Sequence, residues 1–247
     1  MHSWKAGLKN ELILLIYRRK TVMFFVFSAL LPILLAVSLH SLQPLLGLVA
    51  VSESFPIQML SFYTLFWIPL FIFLTTADLF PNEISSRTLK LALLRPISWF
   101  QVYAAKTAAL GIGIAVQLAV LGAVTLICSL FAGSGGAADG VGIFKAYAAA
   151  FFSMFALSAV FVFISQFFKS ASGSLVFSIV LYGAAKLAPF LVNSVSAFSP
   201  ASYTDWHMLW ISNTVSSVTL LVTSLFLLSS CCLFFSLGYF MFDRKEV

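Results

Sequence analysis

Six membrane-spanning α-helices with both termini in the cytoplasm are the fold the sequence predicts, on three observations. The chain is 61% hydrophobic and 9% charged, against about 25% charged in soluble domains. Its mean hydropathy is +1.05. Six apolar runs follow one another: Thr21 to Leu39, Phe55 to Ala77, Tyr103 to Ala132, Ala146 to Phe168, Gly173 to Leu191 and Val215 to Phe240. Each approaches or exceeds the roughly 20 residues that cross a bilayer core about 30 Å thick. They are too continuous for barrel strands, in which apolar and polar residues alternate. The 247 residues therefore read as a single transmembrane domain, with no separate soluble one.

Orientation follows from the cations, because lysine and arginine in short loops stay on the cytoplasmic side. Lys5, Lys9, Arg18, Arg19 and Lys20 precede the first run, and Arg87, Lys90, Arg95 and Lys106 lie between or beside the second and third. Lys169, Arg244 and Lys245 fall on the same side, which makes twelve of the fourteen cations. The opposite side holds Lys145 with Glu53, Asp139 and Asp205, and Lys186 lies within the fifth run. Topology accounts for the net charge of +6 without nucleic acid, and the same cations suit anionic lipid headgroups. Five cations ahead of the first run, and no small-residue cleavage site after it, make that run a retained span.

Taken in order, residues 1–20 place Trp4, Leu8, Leu12 and Leu15 on one face at helical spacing. This predicts an interfacial helix with its stripe in the headgroup boundary, or an extension of the first span. The third run opens with Ala104, Ala108, Gly111 and Ala115 along one face, a strip that lets another helix approach closely, within the subunit or between subunits. Ala132 to Gly140 is a flexible external turn without the Lys-Ser/Thr ending of a phosphate-binding loop, and no such loop occurs in the chain. Residues 193–213 are too polar to span and too aromatic for an ordinary loop. They predict an outer segment of short or re-entrant helices, with Thr204 or Asp205 capping one that carries Trp206 and Trp210, or else an interfacial loop.

Ionisable groups in apolar surroundings are the candidate sites. Lys186 falls in the outer half of the fifth span, where it either snorkels to headgroups or lines a translocation path. Asp78 reads as a hydrated residue at the end of the second span. His2, His40 and His207 are far apart and lack ligand-spaced partners, so no metal site is expected. Cys128, Cys231 and Cys232 all sit in apolar runs as small core residues. Neither a cofactor site nor hydrolase spacing is found.

Between spans two and three stands "NEISSRTLKLALLRPIS", Asn82 to Ser98. With Asn82 as cap, Glu83, Ser86, Arg87 and Lys90 share one helical face and Leu89, Ala92 and Leu93 the other. Glu83 and Arg87 have the i,i+4 spacing that supports a helix by about 0.2–0.5 kcal/mol. Pro96 ends it. The predicted product is a short amphipathic cytoplasmic helix with Glu83, Arg87 and Lys90 as an exposed stripe and Leu94 needing a partner to cover it.

Here the chain resembles permease subunits of the ABC-2 exporter family, at Glu83, Thr88, Leu89, Leu91, Leu93, Pro96, Ile97, Ser98 and Lys106. It departs at Arg87, where the family often has glycine, and at Trp99, where it often has arginine. The resemblance implies two permease copies, in a homodimer or heterodimer, above two cytosolic ATPase subunits that hold the ATP and magnesium. It makes Asn82 to Ser98 a coupling helix, with Glu83, Arg87, Thr88, Lys90, Leu94 and Pro96 its contact residues. It also implies export across a bacterial inner or plasma membrane, of a drug, antimicrobial peptide or lipid-like molecule. The competing readings are an ATP-independent carrier or channel and an intramembrane enzyme. A carrier calls for broken helices and intramembrane polar groups, for which Lys186, Pro32 and Pro69 are the candidates; an enzyme calls for paired catalytic side chains, which the spacing does not supply.

Overall fold

The computed structural model describes residues 2–46, 55–85, 98–131, 140–191, 199–211 and 215–244, and regular structure within them is entirely helical. Arg87, Thr88, Lys90, Leu94 and Pro96 lie outside the described residues. All six predicted spans are present as helices long and apolar enough to cross a membrane. The first is Arg19–Leu46, the third Trp99–Phe131, the fourth Gly140–Ser165, the fifth Ala171–Leu191 and the sixth Ser217–Asp243. The second is built from Phe55–Phe62, a π-helical turn Tyr63–Trp67, and Ile68–Leu79. A separate helix, His2–Tyr17, precedes the first span, and a short one, Pro81–Ser85, follows the second.

Several helices outrun their apolar cores because local chemistry lets them. Ser98 accepts a hydrogen bond from the Gln101 amide at 3.3 Å, so the third span starts at Trp99 and not Tyr103. Ser216 does the same for the Val218 amide at the sixth span. The fourth span is central: 61% of its apolar window is buried, against 11% for the fifth and sixth. It packs on the second, third and sixth spans and on the helix Trp206–Ile211. The small-residue strip of the third span is used within the chain at Gly111, where an added Cβ would lie 2.7 Å from Phe155 Cε2 of the fourth. Ala115, on the same strip, is exposed.

The N-terminal helix corrects one expectation. Leu15 is 3% exposed and belongs to a helix packed against the third span, so the predicted lipid-facing stripe is in part a protein contact. Trp4, from the predicted stripe, is exposed, as are Ile13, Leu14, Ile16 and Tyr17. The physical reason is Glu11, on the packed face, whose carboxylate meets a lysine of the third span.

The mid-span prolines do not break their helices. Proline has no N–H, so the carbonyl four residues earlier loses its helical partner. For Pro32 that carbonyl is Ser28, and for Pro69 it is Leu65. Tyr63 Oη donates to the Ser28 carbonyl at 2.6 Å, and Tyr182 Oη to the Leu65 carbonyl at 2.7 Å. Each orphan is thus satisfied by a tyrosine from a neighbouring span, as a dry interior requires. Just before Pro69 the ladder widens, with the Ile68 amide bonded to Tyr63 O in the π-helical turn. The two hydroxyls tie the first span to the second and the second to the fifth.

Candidate functional site

Two polar constellations lie at opposite ends of the helices. At the end carrying the N-terminal helix, the Lys106 side chain is 1% exposed and its ammonium is surrounded by carboxylates. Nζ donates to Glu11 Oε1 at 3.1 Å, Glu11 Oε2 at 3.2 Å and Glu83 Oε2 at 2.6 Å. Glu83 Oε1 accepts from Arg18 Nη2 at 3.1 Å. The other arm of Arg18 approaches Asp78 at 3.8 Å, and Lys20 approaches the same carboxylate at 3.6 Å. Three acids and three cations formally cancel, which is what burial of charge demands.

Five elements supply these groups: the N-terminal helix, the first span with the residue before it, the end of the second span, the short helix Pro81–Ser85, and the third span. Two expectations are corrected here. Glu83 is not part of an exposed stripe, for its side chain is 14% exposed and bonded to Lys106 and Arg18. Asp78 is buried beside two cations and is not a hydrated helix end. Glu83 is drawn inward by the buried Lys106 ammonium, and Asp78 is covered by Arg18 and the more exposed Lys20. Sequence reasoning missed Glu11, Arg18 and Lys106 as a set, counting Arg18 as a topology signal and Lys106 as that and as part of the family resemblance. The signal for Lys106 was its place inside the third apolar run, beside Ala105 and Ala109, both buried.

At the opposite end, Lys186 donates to Thr204 Oγ1 and lies 3.8 Å from Asp205 Oδ2. It stands over the Tyr182 ring, 6.0 Å from its centroid, and borders a cavity of about 240 Å³ with Leu65, Phe66, Pro69 and Phe73. The fifth-span lysine is thus held by the segment between the fifth and sixth spans. That segment is a 3₁₀ turn, Pro200–Tyr203, and the predicted short helix, Trp206–Ile211, with Trp206 and Trp210 on it. Residues 192–198 and 212–214 lie outside the described residues.

His207 anchors the segment to the second span. It is fully buried, and its Nε2 lies 3.0 Å from Ser61 Oγ. The Ser61 hydroxyl also reaches the Ile57 carbonyl at 3.1 Å, so it bridges the imidazole and the backbone of the second span. Desolvation lowers the imidazole pKa, with the Asp205 carboxylate and a Thr204 backbone contact opposing it. Through Asp205 the histidine also neighbours Lys186. A depressed pKa means that docking is fully stabilised above the free-imidazole value of about 6.5 and weakens as pH falls through it. Hydrogen exchange across residues 199–211, corrected for intrinsic rates, should therefore quicken severalfold between pH 7.5 and 5.5. His207→Gln should be flat over the same interval.

A family model described as ABC-2 family transporter protein matches residues 14–185, which is 172 of the 247 residues. No curated protein matches the chain. The matched range contains Arg18, Lys20, Asp78, Glu83 and Lys106, and stops one residue short of Lys186. With six apolar helices and a matched range that takes in the first four spans and most of the fifth, this chain belongs to the ABC-2 transporter family, as a multi-pass permease subunit of an ABC transporter.

Proposed function

We propose that the chain is the conduit of an exporter, pairing with a second permease copy in a cell membrane and driven by a separate cytosolic ATPase that docks on Asn82 to Ser98. The observation that carries this reading is the placement of Glu83. It stands at the start of that segment and its carboxylate bonds Lys106 and Arg18, with Glu11 on the same ammonium. A force applied to the segment would reach the N-terminal helix and the first three spans through charge-assisted bonds. The basic end then faces the cytosol, in keeping with its cations. Compact size and an apolar interior suit a drug, antimicrobial peptide or lipid-like substrate.

The test separates docking from folding by leaving Glu83 untouched. Arg87→Ala combined with Leu94→Ala, in proteoliposomes with the ATPase that co-purifies, should lower permease-stimulated ATP hydrolysis and transport about tenfold, a loss of about 1.4 kcal/mol. The doubly substituted protein should keep the thermal stability of the original. Undiminished stimulation would sink the docking assignment. Transport by the chain with no ATPase present would favour the ATP-independent carrier instead.

A further inference from the structure

A groove at the end opposite the ion network has the makings of a lipid site. It encloses about 350 Å³ between the fourth span, the helix Trp206–Ile211 and the sixth span, and is lined by Phe144, Lys145, Phe152, Trp206, Trp210 and Ser224. Phe144 is 75% exposed, Phe152 45% and Trp210 38%, so the walls are apolar and open laterally, where a membrane-spanning protein meets hydrocarbon. Phe152 lies eight positions beyond Phe144, roughly 12 Å along the helix, most of the roughly 15 Å that one leaflet's hydrocarbon provides.

The mouth of the groove is cationic. Lys145 is exposed and stands one residue before the long apolar run that begins at Ala146, the depth at which headgroup phosphates meet acyl chains. Among the described residues no carboxylate lies within ion-pair distance of its ammonium, whereas Lys186, at the same end, is engaged by Asp205 and Thr204. The aromatic wall is fixed in place. Trp206 Nε1 donates to Thr223 Oγ1 at 2.9 Å, and the Trp206 and Trp210 rings meet edge to face at 5.5 Å. A cation at headgroup depth above an aromatic groove one leaflet deep matches a molecule with a negative head and an apolar tail.

We propose that this groove binds an anionic phospholipid of the adjoining leaflet, with its phosphate on Lys145 and an acyl chain between Phe152 and the two tryptophans. The site stands apart from the proposed ATPase docking segment and does not depend on what is transported. One lysine beside an anionic headgroup gives about a fivefold preference over a zwitterionic lipid at low salt.

The experiment is quenching of tryptophan fluorescence in nanodiscs containing brominated phosphatidylglycerol or, at the same mole fraction, brominated phosphatidylcholine. Subtracting a Trp206→Phe/Trp210→Phe variant isolates the groove signal. Half-maximal quenching of that signal should come at about fivefold less phosphatidylglycerol than phosphatidylcholine. Lys145→Ala should erase the difference and Lys145→Arg should keep it. Equal quenching by both lipids, or a preference that survives Lys145→Ala, overturns the assignment. So does absence of quenching by either lipid, the result expected if a second copy of the chain covers this face.

Discussion

Lys106→Met is expected to cost about 3–5 kcal/mol, the usual penalty for removing one member of a buried ion pair. The magnitude follows from what is left behind. Glu11, a buried residue, loses both hydrogen bonds that the Lys106 ammonium makes to it. Glu83 retains Arg18 but loses its 2.6 Å bond. A stranded carboxylate must take up a proton or draw water in, and either outcome loosens the N-terminal helix from the third span. The variant should therefore aggregate or unfold at markedly lower temperature when detergent-solubilised protein is heated in steps and followed by size-exclusion chromatography. Adding Glu11→Gln and Glu83→Gln removes the stranded charges, and a Glu83→Gln amide oxygen can still accept from Arg18. The triple variant should recover most of the loss. Equal stability of Lys106→Met and the original protein would show that the network holds nothing together, and no recovery in the triple variant would show that the cost does not come from the stranded carboxylates.

The same network separates two roles within the segment that begins at Asn82. Glu83 works inward, as an acceptor for Lys106 and Arg18, so its loss would damage folding before it damaged docking. Arg87 and Leu94 carry the proposed docking without that complication. A triple alanine change at Glu83, Arg87 and Leu94 would mix the two effects, which is why the docking test leaves Glu83 intact.

Hydropathy made the spans legible because a bilayer imposes its thickness on every crossing helix. The predicted fourth run begins at Ala146, yet the helix begins at Gly140, since Lys145 interrupts hydropathy without interrupting helical hydrogen bonds. Charge partners were less legible for a different reason. Lys106 and Glu11 are 95 residues apart and Lys186 and Thr204 are 18 apart, so neither pairing has a local period to betray it. Counting cations by side assigns Lys106 correctly to the basic end and hides that its ammonium is buried. Pro32 and Pro69 were visible as departures from regular helices. Their consequence, two orphan carbonyls, can be computed from the sequence, but the tyrosines that answer them come from other spans.

Those tyrosines yield the second large expected effect. Tyr63→Phe should destabilise the protein by about 1–3 kcal/mol, the cost of an unsatisfied buried carbonyl, because Ser28 O then loses the hydroxyl that replaces the amide Pro32 lacks. Tyr182→Phe should do the same at Leu65 O, with the smaller end of that range expected because this bond lies on a more exposed surface. Generic loss of a hydroxyl would predict a similar cost in any background. The orphan-carbonyl account predicts otherwise. In a Pro32→Ala background the residue-32 amide can bond Ser28 O directly, so Tyr63→Phe should cost less there than in the parent. Pro69→Ala should likewise blunt Tyr182→Phe, and neither proline change should rescue the other tyrosine. Thermal midpoints for the two double-mutant cycles decide the matter. A Tyr63→Phe penalty of the same size with and without Pro32 would mean that the hydroxyl matters for some other contact.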